Sequence, residues 1–170
     1  MRKARLLAAA VAASLCASTV NAAQDRIDPV IAPNGSITPA DGAANRPDAI
    51  LRYQMMFSAT KAGTKAGTDA VKPNPGLYKV APLKNLHGAN GIRIQPGDIV
   101  AVVRGAATTV VAINGVYATK TKVQHVPSLD LIAKLRAASV VVAVCSEALH
   151  ANGLVATDVA PGIEIDMSAM

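Results

Sequence analysis

Two short runs constrain the fold of this chain more than any other feature. GDIVAVVRG, residues 97–105, and VVVAV, residues 140–144, hold unbroken apolar stretches that are mostly β-branched. They do not alternate polar with apolar residues, so as strands they must be buried on both faces. Between them lies VPSLDLIAKLRAAS, residues 126–139, the clearest helical pattern of the chain. Leu129, Ile132 and Leu135 share one face there, and Ser128 is placed to cap the start. Strands that alternate with helices predict a mostly parallel sheet covered by helices on both faces, a three-layer α/β fold.

Weaker patterns complete this frame. AILRYQMMF, residues 49–57, reads as a first strand, and the segment from Ile163 to Met167 reads as a last one. The sheet should therefore hold about four or five strands. PGLYKVAPLKNLHGANG, residues 75–91, places Leu77, Val80, Leu83 and Leu86 at helical spacing, ended by Gly88 or Gly91 and interrupted by Pro82. ATTVVAINGVYATKT can start another helix with Thr108 or Thr109 as its cap, although its β-branched content and Asn114-Gly115 make a poor one. SEALHANG, residues 146–153, predicts a short helix closed by Gly153.

The first residues read differently. Arg2, Lys3 and Arg5 precede an apolar stretch from Leu6 to Ala17, and Val20-Asn21-Ala22 follows. A positive start, an apolar centre and a small-x-Ala site are the three parts of a secretory signal peptide. Residues 1–22 are expected to be such a signal, cleaved after Ala22 or, nearly as well, Ala23, and the mature protein to be periplasmic; the competing reading is a buried N-terminal helix. The apolar stretch is too short to span a bilayer, which takes roughly 20 residues. Leu15 before Cys16 departs from the small residue that a lipoprotein signal needs, so Cys16 is expected to leave with the leader. Residues 23–48, rich in Pro, Gly, Asn and Asp, predict an extended, weakly ordered lead segment that can lie along the domain through Ile27, Val30 and Ile31. Residues 49–170 are expected to form the α/β domain.

Composition excludes several function classes. The formal charge is +6 for the full chain, and removal of Arg2, Lys3 and Arg5 lowers it to +3. The remaining lysines are scattered, Trp is absent, and there is a single Phe. Nucleic-acid binding needs a clustered basic face and stacking rings, so it is not expected. His87, His125 and His150 are scattered, and no two have metal-site spacing on one helix, so no metal is expected. His87, near a helix end, is expected to cap carbonyls. A Walker loop, a G-x-G-x-x-G fingerprint and a G-x-S-x-G elbow are all missing, which leaves no expected cofactor and no serine hydrolase.

Ligands of open α/β sheets bind beyond the carboxyl ends of the strands. Ser58 follows the first strand, Arg104 and Gly105 end the second, and Cys145 and Ser146 follow the third. If these strands are neighbours, the five residues converge on one rim. Cys145 is the single cysteine of the mature chain, so no internal disulfide is expected. At a strand–helix junction, free backbone N–H groups favour a thiolate, which is the nucleophilic form, and a nearby Arg104 would favour it further. The competing reading is a buried cysteine that serves only as packing.

The pieces GLYKVAPLKNLHGANG, GDIVAVVRGAAT, SLDLIAKLRAASVVVAVCSEALHANGL and LVATDVAPGIEIDMSA resemble, in order, the exported branch of the DsrE/DsrF-like proteins, over roughly Ile50 to Ala169. The resemblance implies a compact α/β fold and homo-oligomers, often trimers or hexamers. It implies that Cys145 carries sulfur as a persulfide; Arg104, Gly105, Ser146 and Ser58 are expected as supporting residues from their place at the strand ends alone. Ser146 stands where the family often has Gly, and Arg104-Gly105 where it often has His-Gly. With no second cysteine to resolve a persulfide, transfer would need a donor or acceptor protein or a small thiol. The alternative function is a non-catalytic ligand-binding or assembly module with a buried Cys145.

Overall fold

The computed structural model describes residues 26–62 and 72–167. The expected signal peptide, Cys16 and most of the Lys/Gly/Thr-rich loop lie outside the described residues. The sheet has four strands, β1 (Met55–Ala59), β2 (Ile99–Val103), β3 (Val140–Cys145) and β4 (Glu164–Asp166), in the spatial order β1-β2-β3-β4. Every pairing is parallel. This is the expected α/β class, with a single parallel sheet, and it is consistent with the three-layer arrangement.

The crossovers are helical. α1 (Pro75–Tyr78) and α2 (Val80–Ala89) join β1 to β2. Pro82 is tolerated because it lies in the first turn of α2, where its missing N–H has no helical partner to lose. The expected single helix is split at Lys79, and Asn74 caps its start by accepting from the Gly76 and Leu77 amides. A 3-10 turn over Gly105–Val111 and then α3 (Asn114–Thr121) follow β2. Neither Thr108 nor Thr109 caps a helix there. Thr108 is buried and its hydroxyl donates to the Gly105 carbonyl.

α4 (Leu129–Ala137) leads into β3, and α5 (Ser146–Ala151) and a short 3-10 turn lead into β4. Ser128 occupies the cap position of α4 but makes no cap bond, because its hydroxyl accepts from the Asn74 amide instead. Leu131, Ile132 and Leu135 are the buried face of α4, with Leu129 half-buried beside them. Gly153 follows α5 at φ +60, the left-handed conformation that a helix stop requires.

The register fixes the two faces of the sheet. Met55, Ile99 and Val140 form one row, followed on the same face by Phe57, Ala101 and Val142, then Ala59, Val103 and Val144. These rows join Leu77, Val80, Leu131 and Leu135 in the central core. The alternate residues face the other side, where coverage is uneven. Val102, Ala143 and Cys145 are buried there, whereas Met56 is 70% exposed and Ser58 is exposed.

Residues 26–48 run along the domain as a strap. Ile31 is fully buried, whereas Ile27 and Val30 stay more exposed. The buried side chain of Asn85 on α2 holds the strap. Its Oδ1 accepts from the Val30 and Ile31 amides, and its Nδ2 donates to the Asn34 and Gly35 carbonyls. Gly35 adopts φ +72 against the backbone of Pro82, where a Cβ would lie 2.4 Å from the Pro82 nitrogen. The Tyr78 hydroxyl accepts from the Gly35 amide, the Tyr53 hydroxyl accepts from the Asp48 amide, and Lys134 Nζ donates to the Ala32 carbonyl.

Candidate functional site

The carboxyl rim gathers the residues expected there. Cys145 pairs with Asp166 across the β3–β4 ladder. Arg104 is one step beyond Val103, whose partner is Val144, so its backbone stands beside Cys145. Arg104 keeps an extended conformation, φ −152 and ψ 171. Alternation along the strands then sends the Arg104 and Cys145 side chains to the same face, the one that also carries Ser58, Val102 and Ala143.

The Arg104 side chain is engaged with β1. Its Nε donates to the Ser58 hydroxyl at 2.8 Å, and both residues are exposed. Cys145 itself is a free thiol, 7% exposed. Ser146 opens α5, and its hydroxyl donates to the Met167 carbonyl at 2.7 Å, which ties the end of β4 beside Cys145. Gly105 sits at φ +60, and its carbonyl accepts from Thr108 and from Asn152 Nδ2. Thus Ser58, Arg104, Gly105, Cys145 and Ser146 do share one rim, with Arg104 bonded to Ser58. α5 spans six residues, too short for a strong helix dipole, so the thiolate field expected from it is small.

The three histidines part ways. His125 and His150 are exposed. His87 is 3% exposed and stacks on the Tyr53 ring, with centroids 5.6 Å apart. It is buried rather than a surface carbonyl cap, because its helix face turns toward the amino ends of β1 and β2. No group of His, Cys, Asp and Glu among the described residues could hold a metal ion.

Around His87 lies a polar cluster that sequence reasoning did not single out. Asp98, directly before β2, is buried. Its carboxylate accepts from Arg52 Nε at 2.6 Å and from the Gln95 amide at 2.8 Å. Those two bonds hold the Asp98 carboxyl below its ordinary range. Lys84, one turn before His87, is pushed down by burial, with Asp98 pulling the other way. Burial and the neighbouring Lys84 charge both push His87 down. The one sequence signal for this cluster is the i, i+3 spacing of Lys84 and His87 on the buried face of α2.

No family model matches the chain, and no curated protein matches it. Among solved structures, the chain is similar to a protein of unknown function, MTH1491 from Methanobacterium thermoautotrophicum. The two share 18% identity with a TM-score of 0.44, over 68% of this chain and 83% of that one. Among the described residues, no helix is long and apolar enough to cross a membrane.

Proposed function

We propose that this protein handles sulfur through a persulfide on Cys145. The observation that carries this reading is the row at the carboxyl rim, where Cys145 stands between Arg104 and Asp166 on adjacent strands. This is where parallel sheets present ligands, and it puts a permanent cation on the neighbouring strand. The Cys145 thiolate attacks the outer sulfur of a donor persulfide. A new S–S bond forms on Cys145, the donor's S–S bond breaks, and the donor leaves as a thiolate. No oxidant is consumed. Delivery is the same exchange run toward an acceptor protein or small thiol. The leader pattern of residues 1–22 supports a periplasmic setting, and the DsrE/DsrF-like resemblance supports trimers or hexamers, which light scattering of the mature protein would count.

The test is mass spectrometry after incubation with glutathione persulfide. An added mass of about 32 Da on Cys145, absent from Cys145→Ser, is expected. An unmodified Cys145 under conditions that load a reactive control thiol contradicts the proposal.

A second reading is favoured by the burial of Cys145 and by the bond that holds Arg104 on Ser58. In it the protein is a binding or assembly module, and Cys145 packs as a small hydrophobe. A native Cys145 that resists alkylation up to about pH 9 supports that module.

A further inference from the structure

The buried cluster at the amino ends of the strands lies far along the sheet from Cys145 and has no part in the proposed sulfur chemistry. His87 is 3% exposed, and its Nδ1 is buried with no hydrogen-bond partner. Its ring stacks on Tyr53, and the Tyr53 hydroxyl accepts from the Asp48 amide at the end of the strap. The carbonyl of His87 accepts from the Asn90 and Ile92 amides, which closes α2. Its sequence neighbours carry the strap as well. Asn85 bonds Val30 and Ile31, and Gly88 packs on Val30.

The charged groups around the ring do not welcome a proton. Lys84 lies one turn earlier on α2 and is a cation itself. The Asp98 carboxylate is already taken by Arg52 and the Gln95 amide. Asp48 Oδ1 accepts from the Ile50 amide. Elsewhere along the strap, Asp41 is paired with Arg46, Arg26 donates to the Ser36 carbonyl, and Lys134 on α4 donates to the Ala32 carbonyl. Asp28 on the strap keeps one buried carboxylate oxygen with no partner. It makes no bond to His87.

We propose that His87 is an acid-operated latch: neutral, it stays in its buried stack and the strap stays down; protonated, it leaves the stack and the strap of residues 26–48 lifts from α2. An imidazolium in this site would be largely desolvated beside Lys84, with its Nδ1–H left without a partner. Its expulsion breaks the Tyr53 stack, and Tyr53 is what holds Asp48. The lowered proton affinity of the ring gives the direction. The unfolded or lifted form binds the proton better, so closure is complete above the ordinary histidine range, near 6.5, and weakens as pH falls below it.

Hydrogen exchange of the full mature protein at about pH 7.5 and about pH 5, normalised to the β3 amides, tests this. The Ile31, Gly35, Ile37 and Asp48 amides should lose about tenfold protection relative to β3 at the lower pH, the scale set by the distance below 6.5. His87→Phe keeps the ring stack and removes the proton site, so its strap should hold at both pH values. Equal strap protection at both pH values in the natural protein overturns the latch, and so does a pH effect that persists in His87→Phe. The imidazole titration of the natural protein, followed by NMR, gives an independent reading if the variant does not fold. A His87 that titrates above 6.5 would mean that Asp28 or another carboxylate holds the imidazolium in place, and it overturns the proposal.

Discussion

Asn85 and Arg104 show how single side chains set the two ends of this molecule. Asn85 satisfies four strap backbone groups with one amide: the Val30 and Ile31 amides and the Asn34 and Gly35 carbonyls. Asn85→Ala leaves buried amides without partners, at roughly 1–3 kcal/mol each. A loss of about 3 kcal/mol in chemical denaturation is therefore expected, and a change below about 0.5 kcal/mol would remove Asn85 as the strap's anchor. At the other end, the Ser58 hydroxyl holds Arg104 over β1 although the Arg104 backbone neighbours Cys145. Ser58→Ala frees the guanidinium to approach the thiol, so native alkylation of Cys145 should accelerate about threefold. Adding Arg104→Met should cancel the gain, since the two changes act through one contact. Equal rates in all three proteins would show that Arg104 does not influence Cys145.

At the scale of elements, the turn before β2 provides a test of its own. Asp98 binds Arg52 and the Gln95 amide, and it keeps its proton less readily than a free carboxyl. A group with a lowered folded value stabilises the fold above its ordinary range, near 3.9, and that stability is lost as pH falls through its folded value. Stability should fall as pH drops below the ordinary carboxyl range, and Asp98→Asn should flatten that slope while lowering stability at neutral pH. An unchanged acid limb in the variant would put the titration elsewhere.

The elements themselves were largely legible in the sequence. β2, β3 and α4 declare themselves because apolar β-branched runs and a 3.6-residue period are local signals. The local pattern places the start of β1 too early, at Ala49. Its true limits, Met55–Ala59, come from pairing with β2, which no local pattern carries. Ser128 and Thr108 have the composition of caps, yet each bonds a partner chosen by the fold. The rim residues were legible because strand ends are. The His87 cluster was not, since Lys84 and His87 on α2 come near Asp98 only once α2 packs on the strands.

Over the whole molecule, a parallel sheet of four strands carries its core on one face and a less evenly covered surface on the other. The strap closes the far side of α2. The edge strand β4 pairs through three residues, and the segment from Glu164 to Met167 is mostly exposed. It is joined to the rim by the Ser146–Met167 bond. Short edge strands open locally at low free energy, so fraying of β4 is the expected route to a thiol that is 7% exposed at rest. Ser146→Ala removes that tie and should raise the exchange rate of the β4 amides severalfold, with β2 unchanged, as hydrogen exchange would show. The central claim, that Cys145 acts in the folded protein, is tested most directly by its native alkylation rate set against the rate of global unfolding. The account predicts that Cys145 reacts at least about tenfold faster than the protein unfolds, through local opening at β4. A thiol modified only at the global unfolding rate would contradict it and leave Cys145 as packing.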